Sequence, residues 1–162
     1  MSEEKKILLV EDDDEFRNMV HELLKTENYQ VVEAPCSEDA LNLTKTDNFD
    51  LAITDLLMPG EGGFKFIRKM KAFDLNIKII AMSGGSNETD VDECLFLAGR
   101  FRADVVMKKP FRKEELLQNI KALLNDWIKI MHLMSSLYII KMLTKKSVVE
   151  SNWRLGNMAL QC

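Results

Sequence analysis

Five short apolar runs alternate with amphipathic stretches along the first 125 residues of the chain. The runs have the length of buried strands and are bounded by polar or turn residues, at positions 7–10, 30–34, 51–55, 77–82 and 104–108. Strands that alternate with single helices need right-handed crossovers, which produce a parallel sheet covered on both faces. We therefore predict an α/β fold: a doubly wound, five-stranded parallel sheet of the flavodoxin-like strand order 2-1-3-4-5, followed by a C-terminal helical extension.

Each apolar run is followed by a segment in which apolar residues recur at helical spacing. In the first helix we expect Asp13 or Asp14 at the N-cap, and an apolar face made of Phe16, Met19, Val20, Leu23 and Leu24. We expect Ser37 to cap the second helix. The remaining helices are predicted after a flexible glycine-rich loop at 60–63, around 90–97 and over 112–127.

Charge and cysteine content restrict the class of protein. The chain has 162 residues and a net charge of -4, and residues 126–162 carry five Lys or Arg and two Asp or Glu, so the negative charge is concentrated before them. An acidic body argues against direct nucleic-acid binding, which needs a basic surface. The three cysteines are far apart, as in free thiols of a reducing cytosol. No apolar run has the length of a signal sequence or a membrane span, and we predict a cytoplasmic protein.

Polar residues stand where four of the predicted strands end: Glu11 and Asp12, Asp55, Ser83 and Lys109. The carboxyl ends of parallel strands form one edge of the sheet, so these residues should converge there. Three carboxylates at one edge repel one another unless a cation is present, and hard oxygen ligands suit Mg2+. Lys109 and Ser83 add a positive charge and a hydroxyl donor, which would stabilise a phosphoryl group in transfer. Asp55 is the most central and is the predicted nucleophile for an acyl phosphate.

Each of these residues also has a simpler interpretation. Taken alone, Asp55 is typical of a strand-end carboxylate that caps a neighbouring turn. The acidic run 11–14 is typical of a solvated turn with a helix cap, and Lys109 before a proline is typical of an exposed turn. Ser83 precedes two glycines, and for this residue the turn interpretation is strongest. The occurrence of all four positions at strand ends favours a shared site.

The chain resembles the receiver domain of two-component response regulators over roughly residues 5–125. The resemblance rests on four motifs in the expected order and spacing: Ile-Leu-Leu-Val-Glu-Asp-Asp at 7–13, Asp-Leu-Leu-Met-Pro-Gly at 55–60, Ala-Met-Ser-Gly at 81–84 and Lys-Lys-Pro-Phe at 108–111. It implies a CheY-like receiver domain over residues 1–127.

The resemblance also implies a role for each acidic residue. Asp55 would be the phosphoacceptor and a metal ligand, Asp12 a direct ligand of Mg2+, and Glu11 the holder of a metal-bound water. The backbone carbonyl of Leu57 would complete the protein ligands of the metal. The implied phosphoryl donor is a sensor histidine kinase or a histidine phosphotransfer protein.

The same resemblance assigns the residues around the phosphoryl group. Ser83 would be the switch hydroxyl, Lys109 the phosphate-binding lysine, and Gly84 the small residue that leaves room. Val106 departs from the family pattern, because it replaces the Tyr or Phe that usually moves inward in the switch, and valine predicts a smaller movement. The segment 99–103 is also bulkier than the Gly-Ala turn expected before the last strand.

Residues 128–162 extend beyond a receiver domain and have no assigned role. They begin with a largely apolar stretch that is too short, and too interrupted by Lys129, His132 and Lys141, to span a bilayer comfortably. The segment is also too short for a winged-helix output domain. Two interpretations stay open: a loosely packed extension of the last helix, or a helical arm for homodimerisation or partner docking.

These patterns together predict a stand-alone signalling switch without a DNA-binding output domain. It would take a phosphoryl group from a phosphohistidine partner onto Asp55 with Mg2+, and a downstream protein target would detect the changed surface. Beyond slow self-phosphorylation from small donors and slow self-dephosphorylation, we do not expect an enzyme. One alternative is an aspartyl-phosphate phosphatase or phosphotransferase, although Leu57 stands where such an enzyme needs a general acid. The other alternative is a non-switching interaction domain with the receiver fold.

Overall fold

The computed structural model describes residues 4–60, 62–74, 76–84, 96 and 98–124. All of them belong to one unit, Met1–Leu124, and a second unit comprises Asn125–Cys162. The predicted C-terminal extension at 128–162 lies outside the described residues.

Five parallel strands form one sheet in the order β2-β1-β3-β4-β5. Their bounds are Lys6–Val10 for β1, Gln30–Ala34 for β2, Leu51–Asp55 for β3, Lys78–Ser83 for β4 and Val105–Lys108 for β5. The predicted doubly wound sheet and its strand order are confirmed.

Four helices are described over their whole length and pack on the two faces of this sheet: α1 Asp14–Thr26, α2 Ser37–Leu43, α3 Gly62–Phe73 and α4 Lys113–Leu124. The helix predicted around 90–97 lies mostly outside those residues. Side chains alternate along each strand and therefore enter two separate cores. Ile7, Leu9, Leu51 and Ile53 pack with α1 and α4, whereas Leu8, Val10, Ala52 and Ile79 pack with α2 and α3. All five residues of β3 are buried, so its polar end is held by the core on both sides.

The first helix begins where the sequence indicates. Asp13 is its N-cap, and the Asp13 carboxylate accepts the Phe16 N–H at 2.9 Å. Val20 and Leu24 are buried as predicted. Met19 was predicted on the same apolar face, and this is wrong: 56% of Met19 is exposed.

The cap of the second helix is also different from the prediction. Cys36, not Ser37, is the N-cap of α2, and its Sγ accepts the Asp39 N–H at 3.5 Å. Ser37 is buried, and its hydroxyl donates to the Gly62 carbonyl at 2.8 Å. The hydroxyl therefore joins α2 to the start of α3 instead of capping its own helix.

Ion pairs fix the amino-terminal edge of the sheet. The buried Lys71 ammonium donates to Asp104 Oδ2 at 2.8 Å and to the Ile77 carbonyl at 2.6 Å. Asp104 Oδ2 also accepts the Ile79 N–H at 2.9 Å. The pair therefore ties α3 to the beginnings of β4 and β5. Among the helices of the part of the chain described here, none is long and apolar enough to cross a membrane.

Candidate functional site

The polar residues predicted at the strand ends lie along one edge of the sheet. β1 and β4 both pair with β3, and β5 pairs with β4. Backbone hydrogen bonds continue the alignment beyond the strands. The Leu56 N–H donates to the Met82 carbonyl at 2.8 Å, and the Lys109 N–H donates to the Ser83 carbonyl at 2.7 Å. The segments that follow β3, β4 and β5 are therefore held side by side.

The Lys109 ammonium lies between two carboxylates that are distant in sequence. Its Nζ is 2.6 Å from Asp55 Oδ2 and 2.7 Å from Glu11 Oε2. The Lys109 side chain is only 15% exposed, and the two carboxylates are buried still more. Water therefore screens these attractions weakly, and the charge-assisted hydrogen bonds are strong.

Three carboxylates, two of which contact this lysine, form an acidic cluster. Glu11, Asp12 and Asp55 each offer an oxygen, and these oxygens lie within 4.8 Å of one another. Glu11 and Asp55 are buried, whereas Asp12 is exposed, so the cluster is open to solvent on one side. One ammonium does not neutralise three carboxylates. A set of hard oxygen donors with an open side and excess negative charge fits Mg2+, which retains several waters when bound.

The surroundings of the Glu11 carboxyl perturb its ionisation. Burial raises the pKa of Glu11 above its ordinary value of 4.5. The hydrogen bond from Lys109 and the Lys109 charge oppose this effect, and the nearby Asp55 charge adds to it. Burial is the largest of these influences on the pKa of Glu11.

The Asp55 carboxylate has a fixed orientation. Its Oδ1 accepts the Leu57 N–H at 2.8 Å, and its Oδ2 accepts from Lys109. With both oxygens engaged, the plane of the carboxylate is set by one backbone donor and one side-chain donor. The metal-binding role of the Leu57 carbonyl stays a prediction.

Ser83 ends β4 and is completely buried. Its Oγ has no hydrogen-bond partner within the described residues. An unsatisfied buried hydroxyl costs about 1–3 kcal/mol, so such a group in a folded protein calls for an explanation. A ligand oxygen at this edge of the sheet would supply the missing partner, which weakens the plain-turn interpretation of Ser83.

Two glycines approach the site closely. A Cβ on Gly84 would be 2.9 Å from the Cβ of Lys109, so the predicted small residue is sterically required next to the lysine. A Cβ on Gly63 would be 2.0 Å from the Asp55 carbonyl oxygen. The glycine-rich loop predicted at 60–63 was partly wrong, because Gly62 and Gly63 already belong to α3. The sequence offered a run of glycines as a signal, but no indication of what they contact.

Two site contacts from α1 were not predicted. The Arg17 Nη1 donates to the Glu11 carbonyl at 2.7 Å, and the Phe16 ring centroid lies 4.2 Å from Lys109 Nζ. The helical pattern placed Phe16 only in the core. Its position directly after the acidic run was the available signal, because the first turn of this helix has to begin beside the end of β1.

Two features that depart from the receiver pattern, Val106 and the segment 99–103, lie on or before β5. Val106 pairs in register with Ala81 and is 39% exposed. Arg102 has a φ of 71°, in the left-handed region that favours glycine. The bulky turn predicted from the sequence therefore contains a strained backbone position.

The comparisons with known proteins agree with this geometry. Residues 7–121 match the response regulator receiver domain family. The regulatory protein VanR of Enterococcus faecium is 36% identical over 124 residues, 76% of this chain and 52% of VanR. The cell cycle transcriptional regulator CtrA of Caulobacter vibrioides is 32% identical over 117 residues, 72% of this chain and 49% of CtrA. The chain thus spans about half the length of the curated relatives it matches.

A solved structure shows the same likeness. The CheY-like response regulator receiver domain protein of Methanospirillum hungatei superposes with a TM-score of 0.69 at 26% sequence identity. The superposition covers 75% of this chain and 94% of that chain.

Proposed function

Because the chain belongs to the response regulator receiver family, we propose that it accepts a phosphoryl group on Asp55 from a phosphohistidine partner, with Mg2+, and acts as a signalling switch. The observation that carries this proposal is the position of Lys109. Its Nζ contacts Asp55, which is 54 positions away in the sequence, and Glu11, which is 98 positions away. Both carboxylates belong to an acidic cluster that also includes Asp12. A purely structural ion pair would not need a third carboxylate.

The acidic cluster is the proposed metal site. Glu11, Asp12 and Asp55 would hold Mg2+, together with the Leu57 carbonyl, and the bound ion would neutralise negative charge on the carboxylates and on the phosphoryl oxygens. The hydrogen bond from the Leu57 N–H to Asp55 orients the acceptor carboxylate for attack.

The transfer itself forms one bond and breaks one. A carboxylate oxygen of Asp55 attacks phosphorus, and the bond between phosphorus and the histidine nitrogen of the donor breaks. The electron pair of that bond stays on the imidazole nitrogen. Charge on the transferred group is stabilised by the Lys109 ammonium, which already lies 2.6 Å from the acceptor carboxylate.

The switch depends on what the phosphoryl group contacts after transfer. The Ser83 hydroxyl would donate to a phosphoryl oxygen, which would satisfy a buried group that has no hydrogen-bond partner among the described residues. The resulting shift would propagate to the surface around β5, where Val106 allows a smaller movement than an aromatic ring. A downstream protein target would then bind the altered surface.

We do not propose rapid turnover. The residue two positions after Asp55 is Leu57, which cannot transfer a proton. Loss of the phosphoryl group is therefore expected to be slow self-dephosphorylation, and self-phosphorylation from small donors is expected to be slow as well. A cytoplasmic location and a sensor histidine kinase or histidine phosphotransfer protein as donor belong to the same proposal. The stand-alone role stays a prediction, because the relatives are about twice as long as the match.

Incubation with acetyl phosphate and Mg2+ tests the proposal. Intact-protein mass spectrometry should show one added phosphate, and chelation of the metal with EDTA should prevent it. Asp55→Asn should abolish the modification. Asp74→Asn is the matched control, because this acid lies just after α3 at the opposite edge of the sheet, and it should be modified like the wild type. Equal modification of all three proteins would rule out Asp55 as the acceptor.

A further inference from the structure

The first turn of α1 brings an aromatic ring against the lysine of the site. The backbone N–H of Phe16 donates to the carboxylate of the cap residue Asp13, and this hydrogen bond fixes the start of the helix. The ring centroid of Phe16 is 4.2 Å from Lys109 Nζ. The same ring meets the Phe111 ring edge-on, with centroids 5.8 Å apart and an interplanar angle of 83°. One ring therefore contacts both the lysine and the segment that carries it.

The ring completes the surroundings of the ammonium. An ammonium has three donors, and Lys109 uses two of them for Glu11 and Asp55. The Phe16 ring is within the distance at which an aromatic face attracts a cation. Because Lys109 is only 15% exposed, little water competes for this position. The ring excludes solvent from the Lys109 ammonium but carries no charge of its own. The ammonium therefore keeps its positive charge for interaction with a ligand.

The contact is closer than the other cation–ring contacts among the described residues. Lys6 Nζ lies 5.3 Å from the Phe49 ring centroid, and the Arg100 guanidinium lies 6.0 Å from that of Phe96. Neither of those cations contacts the acidic cluster. The Phe49 pair is on the amino-terminal side of β3 and provides an internal reference for the loss of a ring next to a lysine.

We propose that Phe16 is a positioning residue, whose ring holds the Lys109 ammonium against Asp55 and Glu11 and is itself held by Phe111. This inference rests on the proposed phosphoacceptor function for its effect on rate, but the contact itself can be tested without phosphorylation. The aromatic pair joins two segments that the reaction needs in register: the acidic run before α1 and the lysine segment after β5.

The first experiment measures the contact in the unmodified protein by NMR. Because Lys109 Nζ lies over the Phe16 ring, 4.2 Å from its centroid, the protons on the adjacent Cε should be shifted upfield by the ring current. Phe16→Leu should abolish this shift, whereas Phe16→Tyr should retain it. Phe49→Leu should leave the Lys109 protons unchanged and move only those of Lys6. A Lys109 shift that does not respond to Phe16→Leu would overturn the inference.

The second experiment measures initial rates of phosphorylation from acetyl phosphate at saturating Mg2+. Phe16→Leu should lower the maximal rate about fivefold, as expected for loss of a partly desolvated cation–π contact, with little change in the half-saturating donor concentration. Phe16→Tyr should stay within about twofold of the wild type. An unchanged maximal rate in Phe16→Leu, or an equal loss in Phe49→Leu, would overturn the positioning role.

The same set of variants also provides a control for effects on folding. Urea unfolding of each variant separates a loss of stability from a loss of rate, and Phe16→Met provides a second ring-free variant if Phe16→Leu unfolds. A wild type that is not phosphorylated at all, but in which the ring-current shifts follow the ring, would refute the proposed function and leave the Phe16–Lys109 contact established.

Discussion

Gly63 lies so close to the end of β3 that a Cβ on it would be 2.0 Å from the Asp55 carbonyl oxygen and 2.8 Å from the Leu56 Cα. The obstructing atoms are backbone atoms of the last residue of β3 and of the residue that follows it, and β3 is buried along its whole length. The first turn of α3 therefore packs directly on the main chain that carries the proposed acceptor. Neither side can move without displacing the site.

We expect Gly63→Ala to lower the free energy of unfolding by about 3 kcal/mol, because overpacking against rigid backbone is costly. Equilibrium urea unfolding measures the loss, and acetyl phosphate labelling should show slower modification of Asp55 in the fraction that folds. Gly60→Ala is the control. Gly60 has a φ of 81°, but no atom of the described residues lies within 4 Å of its Cβ position, so backbone strain alone should cost about 1 kcal/mol. Equal losses in both variants would contradict the steric argument.

The Lys109 ammonium contacts both the Glu11 and the Asp55 carboxylates. We expect Lys109→Met to destabilise the metal-free protein by about 3 kcal/mol, since it leaves two buried carboxylates without their partner. Mg2+ should then stabilise the variant more than the wild type, because the ion replaces the missing charge. Thermal unfolding with and without Mg2+ measures both effects.

The double variant Lys109→Met with Asp55→Asn checks the cause of that loss. Removing one carboxylate should recover part of the stability lost with the lysine, so the two changes should be non-additive. Additive losses would show that Lys109→Met acts through packing, including its contact with Phe16, and not through the carboxylates.

The sequence predicted the sheet well because β1, β3 and β4 are buried on both faces, which produces apolar runs that stop at polar residues. It also predicted that the polar strand ends would lie together at one edge of the sheet, since parallel strands bring those ends side by side; the roles of those residues stay predictions. What it missed depends on contacts between distant segments. The Ser37 hydroxyl donates to Gly62, 25 positions away, and a cap prediction considers only neighbours along the chain.

The same limit explains the contacts missed around the site. Nothing in a glycine-rich stretch indicates that Gly63 approaches the Asp55 backbone. Helical periodicity places Phe16 on an apolar face but does not distinguish a core contact from a contact with a lysine. In contrast, Arg102 could be anticipated, because a bulky residue stood where a glycine turn was expected, and the structure gives it a positive φ.

Arg102→Gly should therefore stabilise the protein. Relief of the left-handed conformation is worth about 1–2 kcal/mol, and the greater freedom of glycine in the unfolded chain offsets part of that gain. We expect a net increase of about 0.5–1 kcal/mol in the free energy of unfolding, measured in urea. Asn28→Gly is the matched control: Asn28 has a φ of 62°, but asparagine tolerates this region, so its replacement should change stability much less. A destabilised Arg102→Gly would contradict the strain.

Asp50 links stability to pH at the edge of the sheet opposite the site. Burial opposes the ionisation of Asp50. Two hydrogen bonds of 2.8 Å, from Lys5 Nζ and the Lys6 N–H, favour it, and so does the Lys5 charge. These attractions outweigh burial and lower the pKa of Asp50 below its usual 3.8. The folded state therefore binds this proton less readily than the unfolded state. The stabilisation is present above pH 3.8 and is lost as the pH falls through the lower pKa of the folded state.

Asp50→Asn should accordingly be less stable than the wild type at pH 7, by about 1 kcal/mol at most because a third of the side chain is exposed. The difference should shrink as the pH falls below 3.8, and urea unfolding at a series of pH values measures it.

Glu22→Gln is the control, because Glu22 is an exposed acid on α1, and it should show little difference in stability from the wild type at any pH. A difference for Asp50→Asn that stays constant with pH would mean that its hydrogen bonds, and not its charge, matter. Because Asp50 precedes β3 and Asp55 ends it, the folded variant should still be phosphorylated at the wild-type rate.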